Sequence, residues 1–313
     1  MQTLNLEGII PAVIVPMLKD FSIDFTAFRR YLEWVISQRA VGVAVNVDTG
    51  EGPYLTPEER VEVIRTACEV ASGRCAVIAG VGGPGTLVAM ANARAAREAG
   101  ADALLVFPTP AFLNDPLDER IAFDYHRAIA EASGLPLIVF QLGPIFGGVN
   151  YPPDALAKLL KLPQVVGLKD ASFDAQRFVL TRDILRQAEH PITLLTGNDN
   201  FILESFLLGA QGGLLGYGAV GVSLLVALLE TVNWGDFSRA VEMQGRVQGF
   251  CDYIYNRPIG DYRARCKVAL VHMGLLDPEQ TYVRPPYLSL WQAEKEAARR
   301  AVEAAGLLGV VAR

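Results

Sequence analysis

Eight short apolar runs, each followed by a longer stretch with helical spacing, constrain this chain more than any other feature. The runs are Ile9–Val15, Gly42–Val47, Cys75–Gly80, Ala103–Phe107, Leu137–Gln141, Val165–Lys169, Ile192–Thr196 and Gly213–Gly216. They are often β-branched and mostly bounded by Gly, Pro or Asp, as strands buried on both faces of a parallel sheet are. Between Phe25 and Gln38, apolar residues fall at Phe28, Leu32, Val35 and Ile36, which is helical spacing. Thr56-Pro57-Glu58-Glu59 offers an N-cap, a proline at the first helical position and two acids in the first turn. Pro84–Ala99 is alanine-rich and stops at Gly100. Pro116–Ala132, Pro153–Leu160, Ala175–Ala188 and Asn200–Leu208 continue the alternation. The pattern predicts an α/β fold, a (β/α)8 TIM barrel over residues 1–235. A C-terminal helical extension over 236–313 follows, with helices in Phe237–Tyr255, Tyr262–Met273 and Leu288–Ala305. An open dinucleotide-binding sheet would carry a glycine-rich turn after its first strand; here that position reads Pro16-Met17-Leu18-Lys19.

Composition narrows the function classes. With 51% hydrophobic and 20% charged residues in 313, the chain has ample material for a packed core. Its 28 basic and 34 acidic residues give a net charge of −6 without basic runs, which argues against nucleic-acid or membrane-surface binding. Cys68, Cys75, Cys251 and Cys266 have no CxxC spacing, and the three histidines are scattered, so neither a metal nor another cofactor is expected. Ser205–Leu229 lacks charge and is long enough to span a bilayer, but its six glycines, Gln211 and Ser223 read as a buried strand, a loop and a core helix. The N-terminus has Glu7 and no basic segment before its apolar residues, so a cytoplasmic protein is expected.

In such barrels the reactive groups stand at the C-terminal ends of the strands. Lys169 closes the apolar run Val165-Val166-Gly167-Leu168 and is aimed at the barrel mouth. An amine in an apolar pocket loses its proton more easily and attacks a ketone to give an imine, which then acts as an electron sink. The alternative is a lysine paired with Asp170 or Asp199.

Gly167-Leu168-Lys169-Asp170-Ala171-Ser172, the turn Asp48-Thr49-Gly50-Glu51, Thr196-Gly197-Asn198-Asp199, Lys267-Val268-Ala269-Leu270 and Val283-Arg284-Pro285-Pro286 follow one another in a familiar order. Over nearly its whole length the chain resembles the dihydrodipicolinate synthase and N-acetylneuraminate lyase family of class I, Schiff-base pyruvate aldolases. The resemblance implies that Lys169 forms the imine with a 2-oxo acid such as pyruvate. It implies that Thr49 and Gly50 hold the carboxylate, and that Gly197 and Leu214 lie near the imine. It also implies a homodimer or homotetramer. Glu51 is expected to fix the turn.

The departures are equally informative. The family's proton-relay tyrosine at the end of the fifth strand is Phe140 here, which can neither donate nor accept a proton. The first of two hydroxyl residues in the turn is Asp48. The second relay tyrosine of the synthase falls at Ala111-Phe112, and its carboxylate-binding arginine falls near Ile145. Dihydrodipicolinate synthase activity itself is therefore not expected. Asp48 is a candidate substitute proton shuttle, or else a charge that repels a carboxylate. Gln141 is a candidate to orient a water or a substrate hydroxyl. Tyr54, Tyr217 and Tyr255 are read as packing residues with a chance of reaching the mouth. The expected activity is a lyase, an aldolase or dehydratase of a 2-oxo acid. The alternatives are an impaired barrel that binds a small metabolite as a sensor, and a Schiff-base enzyme of another class.

Overall fold

Strands that read as continuous apolar runs need cover on both faces; the helix after each strand covers one, and closure of the sheet on itself covers the other. A computed structural model describes residues 4–308, the Ile145 side chain excepted. The strands are β1 (Ile9–Pro11), β2 (Gly42–Val45), β3 (Ala76–Val81), β4 (Ala103–Val106), β5 (Leu137–Leu142), β6 (Val165–Ala171), β7 (Thr193–Thr196) and β8 (Gly212–Leu215). All are parallel, in the order β1-β8-β7-β6-β5-β4-β3-β2. A bridge between Ala12 and Ala44 closes the ring, with the Val13 N–H donating to the Ala44 carbonyl at 3.1 Å. The protein is a (β/α)8 TIM barrel.

The barrel helices are α1 (Phe25–Ser37), α2 (Pro57–Ala71), α3 (Thr86–Glu98), α4 (Glu119–Ser133), α5 (Pro153–Leu159), α6 (Ala175–Leu185), α7 (Ile202–Leu207) and α8 (Val222–Asn233). Beyond them lie α9 (Phe237–Ile254), α10 (Tyr262–His272) and α11 (Trp291–Ala304). The Thr56 side chain accepts from the Glu59 N–H at 3.3 Å while Glu59 accepts from the Thr56 N–H at 2.9 Å, the reciprocal cap that starts α2. The uncharged stretch 205–229 resolves into the end of α7, strand β8 and helix α8. Among the described residues no helix is long and apolar enough to cross a membrane.

Two apolar layers hold the barrel. Ile10, Ala44, Ile78, Leu105, Ile138, Phe140, Leu195 and Leu214 fill its interior, and a larger layer packs between strands and helices. Alternation along each strand decides which residues reach which layer. Phe140 faces in, so Gln141 faces out.

The C-terminal helices are joined to the barrel through buried charge. Lys267 on α10 donates from Nζ to Glu51 Oε1 at 2.6 Å and to the Tyr282 carbonyl at 2.6 Å, and both charged side chains of the pair are fully buried. Glu51 Oε2 accepts from the Arg284 N–H at 2.7 Å. The turn after β2 is thereby tied to segments more than two hundred residues later. Glu51 itself sits at φ 59°, and a side chain at Gly52 would run into the Asn46 backbone, its Cβ only 2.0 Å from the carbonyl oxygen. The turn is wound tightly and anchored by its own carboxylate.

Candidate active site

Lys169 pairs in register with Phe140 and faces the barrel interior near its C-terminal end. The strand continues two residues beyond it, to Ala171, so the lysine stands inside the ladder rather than closing it. Its Nζ lies 4.2 Å above the Phe140 ring, which meets Phe107 edge-on at a centroid distance of 5.0 Å. Gly197, the inward position at the top of β7, makes room for the stem: a Cβ there would approach Lys169 Cε to 2.5 Å.

Of the two carboxylates offered by the sequence as partners for the lysine, Asp170 is committed elsewhere. It faces outward and accepts from Gln141 Nε2 at 2.6 Å, the Ser172 N–H at 3.0 Å, the Ser172 hydroxyl at 2.7 Å and Asn198 Nδ2 at 3.2 Å. Among the described residues Lys169 forms no salt bridge. Burial pushes its ammonium down to about 8, against the opposing pull of Asp199 and then Asp48. Relative to an ordinary lysine near 10.5, the neutral fraction at pH 7 rises on the order of 10²-fold.

Across the mouth from Phe140 the surroundings are polar. Thr49 is buried in the turn after β2, and a Cβ on Gly50 would lie 2.7 Å from the Val13 carbonyl, so the turn presses against the segment that leaves β1. Asp48 accepts from the Tyr262 hydroxyl at 2.8 Å and from Arg263 Nη2 at 2.5 Å. The Arg263 Nε also donates to the Asp48 carbonyl at 2.7 Å. The guanidinium lies against the rings of Tyr262 and Tyr287, 4.8 and 4.6 Å from their centroids. Asp199 accepts from the Tyr217 N–H at 2.9 Å, and the nearby Tyr255 hydroxyl and Gly216 backbone pull its carboxyl down. Even so, burial holds its carboxyl above the ordinary range.

Of the residues singled out from the sequence, Lys169, Phe140, Gly197 and Thr49 lie together at the C-terminal mouth of the barrel, with Leu214 in the apolar layer beneath. Gly50 shapes the turn that carries Thr49. Gln141 does not join them. Its amide donates to Asp170 and Thr181, and its oxygen accepts from the Tyr151 N–H, all on the outer face of the barrel. Its expected role of orienting a water or substrate is withdrawn, because period-two alternation points it away. Phe112 also leaves the mouth: it is buried against Tyr125, His126 and Tyr151. Tyr217 packs edge-on to Phe250 inside the core. The Ile145 side chain lies outside the described residues. Tyr262 and Arg263 were not anticipated, and Tyr255, read as packing, has its hydroxyl at the mouth. Among the described residues no cluster of His, Cys, Asp and Glu is arranged to hold a metal ion.

The chain matches the model of the dihydrodipicolinate synthetase family over residues 5–305. It is 32% identical to a 4-hydroxy-tetrahydrodipicolinate synthase of Anaeromyxobacter sp. (strain Fw109-5), covering 97% of this chain and 98% of that one. It is 29% identical to the synthase of Gluconacetobacter diazotrophicus over 98% of this chain and 100% of that one. Among solved structures, the chloride-inhibited dihydrodipicolinate synthase from Acinetobacter baumannii, complexed with pyruvate, superimposes with a TM-score of 0.84 at 28% identity, covering 97% and 100% of the two chains. A monomeric dihydrodipicolinate synthase variant shares the fold with a TM-score of 0.87 at 22% identity, over 97% and 98%. With a match that runs almost from end to end, the chain belongs to the dihydrodipicolinate synthetase family, whose members are Schiff-base enzymes.

Proposed function

We propose that this protein is a class I lyase, an aldolase or dehydratase, that holds a 2-oxo acid such as pyruvate as an imine on Lys169. The observation that carries the reading is a buried lysine whose amine lies over an aromatic ring, forms no salt bridge among the described residues and is pushed down to about 8 by burial. The neutral Nζ attacks the C2 carbonyl, water leaves, and the protonated imine withdraws electrons from C3. Thr49 and Gly50 offer a hydroxyl and backbone N–H groups to the carboxylate.

The relatives named above are synthases, and Phe140 separates this chain from that activity. The wall facing Lys169 consists of Phe107, Phe140 and Leu142, which offers a second carboxylate no hydrogen bond. The acceptor or leaving fragment is therefore one without a carboxylate at that end. Asp48, paired with Arg263 and Tyr262, is a fixed element of the turn rather than a free shuttle. Exposed Leu87, Val88 and Leu113, beside the mouth on the β3 and β4 side, support a homodimer or homotetramer.

Borohydride reduction in the presence of pyruvate tests the reading. A reduced three-carbon adduct on the peptide bearing Lys169 is expected. Labelling elsewhere, or none with any 2-oxo acid, sinks this reading and leaves the sensor that the missing hydroxyl at Phe140 suggests, or a Schiff-base enzyme of another class.

A further inference from the structure

The imine chemistry proposed above needs a group that moves protons between nitrogen, the departing oxygen and C3, and position 140 supplies none. A hydroxyl does reach the mouth, from the opposite side and from a different part of the chain. On β8 the side chain of Leu214 points into the barrel, so the next inward position is residue 216, a glycine. A Cβ there would lie 2.0 Å from the Tyr255 hydroxyl oxygen and 3.7 Å from Thr49 Oγ1. The Tyr255 hydroxyl thus fills the space that an inward side chain at the top of β8 would occupy. Gly197 does the same on β7 for the Lys169 stem. Two neighbouring inward glycines therefore admit the nucleophile and a phenol into one mouth, and Asp199, in the loop just beyond Gly197 and fixed by the Tyr217 N–H at 2.9 Å, is near enough to that phenol for each to shift the other's titration. The ring is held by stacking on Tyr262, 5.3 Å between centroids at 27°.

We propose that Tyr255, backed by Asp199, is the proton relay of this barrel, entering from the end of α9 in place of a hydroxyl on β5. The inference rests on the Lys169 imine reading. One proton serves the whole sequence. The Lys169 ammonium passes it through the Tyr255 hydroxyl to Asp199, leaving a neutral amine and a carboxylic acid. The amine lone pair forms the N–C2 bond as the carbonyl π electrons move to oxygen. The extra N–H proton then crosses to that oxygen by way of Tyr255, giving the carbinolamine. Asp199 returns its proton through Tyr255 to the carbinolamine hydroxyl. The C2–O bond breaks, water leaves, and the nitrogen lone pair completes the protonated imine. Removal of a C3 proton along the same path recharges Asp199 and yields the enamine. The raised Asp199 and lowered Lys169 fit a proton shared between them.

Exchange of the pyruvate methyl protons with D₂O, followed by NMR, reports the relay without needing the second substrate. Tyr255→Phe removes one oxygen atom. It is expected to slow exchange by about 10²-fold or more, while long incubation with pyruvate and borohydride still labels Lys169 fully. Tyr253→Phe, on the same helix but packed on Phe250, is expected to exchange within about threefold of the parent. Should Tyr255→Phe fail to fold, Gly216→Ala decides, because its methyl displaces the hydroxyl without deleting it; a comparable loss of exchange is expected. Exchange at the parental rate in a folded Tyr255→Phe or Gly216→Ala variant, with labelling of Lys169 intact, overturns the relay alone. Loss of labelling together with exchange in the folded variant overturns it too, and assigns the hydroxyl to pyruvate binding. Absence of labelling in the parent protein refutes the imine reading instead.

Discussion

The two halves of the barrel mouth differ in chemistry and in origin. On the side of β4 and β5, Phe107, Phe140 and Leu142 present rings and an aliphatic chain, contributed by β5 and the residue just past β4. On the side of β8, β1 and β2, the mouth carries Thr49, Asp48 and Asp199, backed by Tyr255, Tyr262 and Arg263 from the C-terminal helices. Lys169 stands between them, its Nζ over a ring and its charge sensed by two carboxylates. The β-strand framework thus supplies the electrophile trap and a dry wall. The polar groups sit where the barrel is tied to its extension. A hydroxyl absent from one wall does not leave the site without hydroxyls, because a helix outside the eightfold repeat brings one to the other wall.

The comparison breaks most completely at the residue between the halves. Lys169→Ala is expected to abolish reductive labelling and turnover while circular dichroism still shows the folded barrel. The next largest effect concerns the tie that holds the polar half. Lys267→Met leaves Glu51 buried without its cation, which costs about 3–5 kcal/mol. A lower midpoint in urea denaturation is expected; an unchanged midpoint would show that the turn is held without the pair. The apolar half is tested by substrate. Aspartate semialdehyde, whose carboxylate would meet Phe107 and Phe140, is expected to condense with the pyruvate imine at least about 10²-fold more slowly than an uncharged aldehyde of similar length, since an unpaired buried carboxylate costs several kcal/mol. Equal rates would place a hidden cation near that wall.

A smaller effect reports on the lysine directly. The attacking form of Lys169 is the neutral one, and burial holds the ammonium at about 8. The folded group is therefore easier to deprotonate than a free lysine. In the relay the proton that leaves the amine stays on Asp199, so the rate of imine formation, measured by stopped reductive labelling, is expected to be level below about 8 and to fall about tenfold per pH unit above it, where that proton is lost. A level rate that persists toward 10.5 would mean that water hydrates the amine and that the Phe140 side of the mouth is not dry.

Much of this was readable in the chain, and the parts that were not have physical reasons. Buried parallel strands are short, continuous and apolar, so all eight appear at their places. The apolar run Ile9–Val15 outlasts its strand because Pro11 lacks an N–H and the ladder gives way to a single bridge at Ala12. Lys169 and the Thr49-Gly50 turn announce themselves by local sequence. Gln141 stands at a strand end, where site residues are expected, but the alternation that sends Phe140 inward sends it out. Tyr262 and Arg263 arrive through folding over more than two hundred residues, which no local period reports. One signal was available: on α10, Arg263, Arg265 and Lys267 alternate with Ala264, Cys266 and Val268, leaving the helix no purely polar face. A helix of that kind is buried all round, and its charges need buried partners. Asp48, Glu51 and Glu294 are those partners.

The finest test moves a hydroxyl back to the wall that lacks one. Phe140→Tyr adds a single oxygen to a ring already beneath the amine, with centroid and Nζ 4.2 Å apart. If the β5 wall were the natural place for proton transfer and the barrel were merely impaired, the change would restore a missing function, and methyl proton exchange on pyruvate would rise by about 10²-fold or more. If Tyr255 and Asp199 already move the proton, a second hydroxyl is redundant. It also brings a polar group into contact with Phe107, where it has no partner and its burial costs about 1–3 kcal/mol. The expected outcome is therefore a change in exchange of less than about tenfold, with a modest loss of stability. In the Tyr255→Phe background the same substitution is expected to recover part of the lost rate, because the two hydroxyls face one imine from opposite walls. A gain confined to that background would show that the two halves of the mouth are chemically exchangeable. A large gain in the parent protein would return the relay to β5 and leave Tyr255 as packing.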